Sequence, residues 1–193
     1  MNSHYKEIIG SLLSVIGTIQ AAIGNTPQFQ LNENETYLLR LTGNTLQALG
    51  SALSADGQGT VSFEKIGDEI QATGNSTVIT GMLLNGIFED EETEQRLNIA
   101  GSWIQALGSF VGLTDEFFDS TEDGRLENIT GNLLQGVGNS LQAIGGIQAL
   151  HDKGSEQYQI GVAGSWIQAA GSVISLIGQI QEESEEIRRN INE

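Results

Sequence analysis

The sequence predicts an all-α protein: six helices forming three repeated antiparallel hairpins, a close-packed helix bundle with heptad-spaced glycines. Three observations carry this. A single proline, Pro27, stands in 193 residues, and alternating β-branched patterns are scarce. Glycine recurs at a seven-residue step in six segments. Those segments pair, because Gly10, Gly67 and Gly131 lead the odd ones and Gly43, Gly101 and Gly164 the even ones.

The first helix carries Gly10, Gly17 and Gly24 and stops at the turn "GNTPQFQ", which holds Pro27. Glu33 and Glu35 open the second, whose glycines are Gly43, Gly50 and Gly57, and "SADGQGT" closes that hairpin. The third carries Gly67, Gly74 and Gly81 and ends at "FEDEET". Acids from Asp90 to Glu94 start the fourth, with Gly101 and Gly108, and "TDEFFDSTEDG" ends it. Acids at Asp119 to Asp123 precede the fifth, with Gly131, Gly138 and Gly145, which runs to "DKG" at Asp152 to Gly154. Glu156 opens the sixth, with Gly164, Gly171 and Gly178. One helical repeat domain over 1–193 follows, with hairpins at about 3–56, 61–114 and 121–190.

With the repeated glycine as heptad position a, "GSWIQALG" places Trp103 at c, Ile104 at d, Gln105 at e, Ala106 at f and Leu107 at g. Positions c, g and d form a broad apolar arc, expected to be covered by neighbouring helices and to make the core. Positions b and e are polar but mostly uncharged. Gln47, Gln71, Gln105, Gln135, Gln142 and Gln168 form a neutral edge, open to partial burial if the amides pair.

A dozen glycines inside helices cost roughly 0.8–1 kcal/mol each relative to alanine, so close backbone approach must offset them. The expected packing seam is Gly10, Gly17, Gly43, Gly50, Gly67, Gly74, Gly101, Gly108, Gly131, Gly138, Gly164 and Gly171. Trp103 and Trp166, at matching positions of two hairpins, read as repeated core or interface anchors. "EESEEIRRN" reads as a solvated helix end in which Glu185 pairs with Arg189.

The formal charge of −17 disfavours nucleic acid and anionic lipid as partners. The absence of cysteine removes disulfides, thiolate nucleophiles and thiolate metal sites. Neither His4 nor His151 follows a glutamate by three residues, as a di-iron bundle requires, and both read as surface histidines at helix ends. No phosphate loop or catalytic triad is present, so no enzyme, no cofactor and no metal is expected. "SADGQGTVSFEK" has Lys65 where a calcium loop needs glutamate, and "DSTEDGRLENIT" offers Asp119, Asp123 and Glu127 but ends in Thr130, leaving weak calcium binding as its functional reading. The N-terminal apolar run has weak flanks and matches internal segments, so it reads as a repeat unit, not a signal peptide; the uncharged runs are dotted with Gln, Asn and Ser, so a cytoplasmic location without a permanent transmembrane helix is expected.

The units "GSWIQALG", "GSWIQAAG" and "GNTLQALG" resemble those of an uncharacterised family of glycine-rich repetitive proteins from Bacillus-like bacteria, over most of the chain. The resemblance implies a bacterial origin and no functional residues. The expected function is that of a non-enzymatic, self-assembling structural module whose partner is itself. Two alternatives stand beside it: a membrane-active protein whose glycine-spaced helices insert into lipid, and a bundle that binds a small apolar ligand.

Overall fold

The computed structural model describes residues 3–117, 123–151 and 155–192. It is all-helical: α1 (Ser3–Gly24), α2 (Glu33–Gly57), α3 (Phe63–Phe88), α4 (Glu91–Asp115), α5 (Arg125–His151) and α6 (Ser155–Asn192). One 3₁₀ turn, Pro27–Phe29, joins α1 to α2.

The polar residues between the glycine segments define the helix ends. Asn32 and Glu35 make a reciprocal capping box on α2: the Glu35 N–H donates to Asn32 Oδ1 at 3.0 Å, and the Asn32 N–H to Glu35 Oε2 at 2.9 Å. Ser62 caps α3 through the Lys65 N–H, and Asp90 caps α4 through the Thr93 N–H. Gly124, at φ 88°, supplies the left-handed residue before α5 and lies too close to the Gly178 carbonyl for any side chain.

Each hairpin closes along paired glycines. A β-carbon on Gly10 would lie 2.6 Å from the Gly50 carbonyl oxygen, and one on Gly50 would lie 2.5 Å from that of Gly10. Gly17 and Gly43 repeat this in the same hairpin, Gly67 with Gly108 and Gly74 with Gly101 in the second, and Gly131 with Gly171 and Gly138 with Gly164 in the third. In all six pairs the approach is backbone to backbone, which no larger residue permits.

The hairpins then stand side by side: α2 packs on α3, α4 on α5, and α6 returns to α1. Six helices therefore form a closed ring. The α6–α1 closure is fastened by Thr18 Oγ1 and Ser172 Oγ, 2.7 Å apart and both buried.

This ring turns the helices opposite to the expected way. Among the described residues, nine apolar side chains are buried, six of them alanines, against seventeen polar or charged ones. The expected neutral edge is the core: Gln47, Gln105 and Gln168 are 4–5 % exposed. The expected core arc faces outward, with Leu49 and Leu107 both more than half exposed. Trp103 and Trp166 also stand on the outer surface; Trp166 Nε1 donates to Thr26 Oγ1 at 2.9 Å, and its ring lies 6.4 Å from that of Phe29. The reason is geometric. Glycine at a binds each helix to its hairpin partner, and the small residues at b with the amide-pairing glutamines at e allow six helices to converge on one axis, leaving bulky c and g side chains no place but outside.

Candidate functional site

The ring encloses a polar lumen built by equivalent positions of the three hairpins. At its middle, position e of α2, α4 and α6 brings Gln47, Gln105 and Gln168 together. Gln168 Nε2 donates to Gln47 Oε1 at 2.9 Å and to Gln105 Oε1 at 3.3 Å, while Gln142 Nε2 donates to Gln168 Oε1 at 2.9 Å. The amides thus bridge three helices that do not pack directly on one another. Position b adds Thr18, Asn75 and Asn139 from the odd helices and Ser51, Ser109 and Ser172 from the even ones, all at most 5 % exposed. The Asn75 Oδ1 and Asn139 Nδ2 atoms are buried without a partner, as expected of groups beside a lumen that admits water.

On one side of this layer all six helices line a cavity in which about 60 Å³ is open to the centres of water-sized groups. Its wall is hydroxyl, amide and carboxylate: Ser11, Ser51, Gln71, Asn132 and Ser172 among the neutral groups, Glu64, Asp68 and Glu116 among the acids. Among the described residues no lysine, arginine or histidine lines it.

Past the cavity lies an acidic mouth formed by the start of α1 and the late part of α6. Glu7, Glu182 and Glu183 are at most 9 % exposed. Gln179 Nε2 donates to Glu183 Oε1 at 2.9 Å and to Glu7 Oε2 at 3.4 Å, and Asn128 Nδ2 to Glu182 Oε2 at 2.8 Å. His4 faces them, with its Nδ1 bonded to Glu183 and 3.7 Å from Glu186. His4 and the start of "EESEEIRRN" are therefore not solvated ends; the ring closure buries them. Arg189 does pair with Glu185.

Burial dominates the titration of these acids. The Glu7 carboxyl is pushed up to about 9 by burial, by its hydrogen bond with Glu183 and by the charge of the neighbouring glutamates. Asp68 rises to about 8 through burial, against the lowering effect of Gln58, whose Nε2 lies 3.2 Å away. Glu64 is held well above its usual range by burial and by Glu182 and Asp68. All three lie beyond the uncharged middle stretches of their helices.

The other end is closed. Met82, fully buried, and Val78, 6 % exposed, fill inward positions of α3. Beyond them Arg40 Nη2 meets Glu94 Oε1 at 3.1 Å, and Asn85 Nδ2 donates to Glu94 Oε2 at 2.6 Å. The lumen is thus a blind, acidic vestibule.

The outer surface has its own order. The middle of every helix is uncharged, over 8–24, 41–55, 70–88, 97–114, 128–150 and 159–181. At 1.5 Å per residue these stretches span about 22–35 Å. The outward hydroxyls bond within their own helices: Thr42 to the Leu38 carbonyl, Thr45 to Leu41, Thr73 to Glu69, Ser76 to Ala72 and Thr80 to Ser76, at 2.6–2.9 Å. Tyr5, Phe63 and Phe117 are exposed towards one end of the ring, Phe29 and Phe88 towards the other. Two helical stretches are long and apolar enough to cross a membrane, Ser3–Gly24 and Gln159–Arg189, both with a mean hydropathy of 1.5. The candidate calcium loop at Asp119 lies partly outside the described residues, and Asp123 instead takes its backbone N–H to Glu185 at 2.9 Å.

The twelve seam glycines are thus at the hairpin contacts, the two tryptophans are on the outer face, and the lumen acids escaped the sequence reading. A model of a family described as "Family of unknown function (DUF6944)" matches residues 5–176. No curated protein and no solved structure matches the chain.

Proposed function

We propose that this chain, which belongs to the family of unknown function whose model it matches, is embedded in a lipid bilayer as a six-helix barrel around a polar vestibule. One observation carries the reading: the distribution of side chains is reversed. Nine buried apolar residues, mostly alanine, provide little hydrophobic drive in water, while 27 large apolar side chains are exposed on the surface.

Lipid fits that surface better than a second copy does. Every one of the six helices exposes large apolar residues, so the belt runs round the ring; a partner copy covers one side of it and leaves the rest wet. The uncharged stretches of about 22–35 Å bracket the ~30 Å hydrocarbon core. Outward threonines and serines already spend their hydroxyl protons on carbonyls four residues back, as the absence of water demands. Aromatic residues towards both ends suit the interfaces. Hydropathy alone marks only two helices because the others turn Gln, Asn and Ser inward, where the barrel shields them.

The role that follows is non-enzymatic. It also accommodates the −17 charge, since the acids sit at the ends and in the mouth and spare the belt. Co-flotation with zwitterionic liposomes, resistant to a carbonate wash, is the expected result. A discrete oligomer that stays in solution without detergent and leaves liposomes behind overturns it and restores the self-assembling module.

A further inference from the structure

We infer that the vestibule is a cation site that takes a hydrated divalent ion, with Mg²⁺ the ion its shape suits. The inference rests on the cavity and its wall and holds whether lipid or a second copy covers the outside.

The wall has an excess of oxygen. Ser51 is 5 % exposed, lines the cavity, and its hydroxyl has no hydrogen-bond partner among the described residues. A hydroxyl so placed finds its partner only in what fills the cavity. The side chains of Gln71 and Asn132, on the same wall, are likewise without a protein partner among the described residues. The carboxylates of Glu64, Asp68 and Glu116 share this wall, and among the described residues no cationic side chain lines it.

Glu64 and Asp68 stand one turn apart on α3 and Glu116 just past the end of α4, yet their oxygens do not converge as a set of three. Among the described residues, the only group of three ligand atoms within 4.8 Å of one another is His4, Glu183 and Glu186, out at the α1–α6 closure. A bare ion held by direct carboxylate bonds is therefore not what the vestibule offers. It offers acceptors set back around a space, which suits an ion that keeps its water. Mg²⁺ sheds its water reluctantly and holds six oxygens at about 2.0–2.1 Å. Those oxygen centres fall on a sphere of roughly 40 Å³ in volume. The cavity gives such centres about 60 Å³. Each coordinated water donates two protons, and Ser51, Gln71, Asn132 and the carboxylates are the acceptors that receive them. Binding displaces the protons that the fold otherwise holds on Glu64 and Asp68, and the ion's double charge then offsets the mutual repulsion of the two carboxylates.

The experiment is a titration of the purified full chain with MgCl₂, followed by calorimetry and thermal unfolding, against choline chloride at equal ionic strength. One saturable site is expected, with a higher unfolding temperature that choline does not reproduce. Asp68→Asn should weaken binding at least tenfold and Ser51→Ala severalfold, while His4→Ala leaves it unchanged. Equal stabilisation by choline reduces the effect to screening and overturns the site. Loss of binding in His4→Ala, or wild-type binding in Asp68→Asn, moves the ion out of the vestibule and overturns it equally. Should Asp68→Asn fail to fold, Mn²⁺ in the wild type decides: it should broaden the side-chain amide NMR signals of Gln71 and Asn132 and spare that of Gln20, and uniform broadening rejects the proposal.

Discussion

Gly17 and Gly43 face each other across the first hairpin so closely that a β-carbon on either would lie 2.5–2.7 Å from the other's carbonyl oxygen. Backbone at that distance has nowhere to move, because the same contact recurs one heptad away at Gly10 and Gly50. Gly17→Ala gains about 1 kcal/mol of helix propensity and loses about 1–3 kcal/mol to overpacking, so net destabilisation is expected. Gly161 lies inside α6 with nothing within 4 Å of a built β-carbon. Gly161→Ala should therefore stabilise by up to about 1 kcal/mol. Opposite shifts of the two unfolding midpoints check the pairing; equal shifts contradict it.

The glutamine layer makes an asymmetric prediction. Gln168→Leu strands the Oε1 atoms of Gln47 and Gln105, while Gln142 keeps its bond to Asn139, and should cost about 1–3 kcal/mol for each group left unpaired in the interior. Changing Gln47, Gln105 and Gln168 together to leucine removes both sides of the first two bonds and should be closer to wild type than the single change. Denaturant titration of the two variants gives the order.

Asp68 predicts an unusual pH dependence. Its carboxyl is raised from 3.8 to about 8 in the fold, so the folded chain holds a proton that the unfolded chain has lost between those values. The stability it contributes is fully present below about pH 4 and is lost as pH rises through 8. Glu64, also raised, acts in the same direction. Unfolding temperature, measured without divalent cations, should fall from pH 5 to 9, and Asp68→Asn should flatten the decline. A midpoint that rises with pH contradicts the raised titration of these half-buried acids.

The outer belt is tested by charge. Leu107 is 55 % exposed in the middle of α4, so in water Leu107→Lys is a mild surface change. At the centre of a bilayer a lysine costs about 2.5–3.5 kcal/mol by insertion scales. A double change with Val137→Lys should abolish flotation with liposomes while leaving helicity in detergent intact. Unchanged flotation argues for a belt that never meets lipid.

Much of the architecture was legible in the chain. The glycine phase marks six helices and their pairing, and Pro27, Glu33, Glu35 and Asp90 mark where helices stop or start, while the caps at Asn32 and Ser62 emerged only in the structure. The direction each face points was not. A helix with Leu107 on one side and Gln105 on the other has the same pattern whether it joins a solid bundle or a hollow ring, and the habit of placing leucine inside chooses the wrong one here. The acidic mouth was hidden for another reason. Glu7 and Glu183 are 176 positions apart in sequence, and only the closure of α6 on α1 brings them into one buried cluster with His4.

The sequence by itself determined the local terms: helix propensity broken by turns, end caps, and a seven-residue glycine strip that demands a close antiparallel partner. Those depend on neighbours within a few turns, and a single chain displays them. Tertiary structure decided what the three hairpins do together. Whether they stack into a core or close into a ring depends on how the small and amide side chains at b and e, from Ser11 to Ser175, let six helices meet around an axis. That is a property of all the faces at once, and it sets both the polar vestibule and the apolar belt.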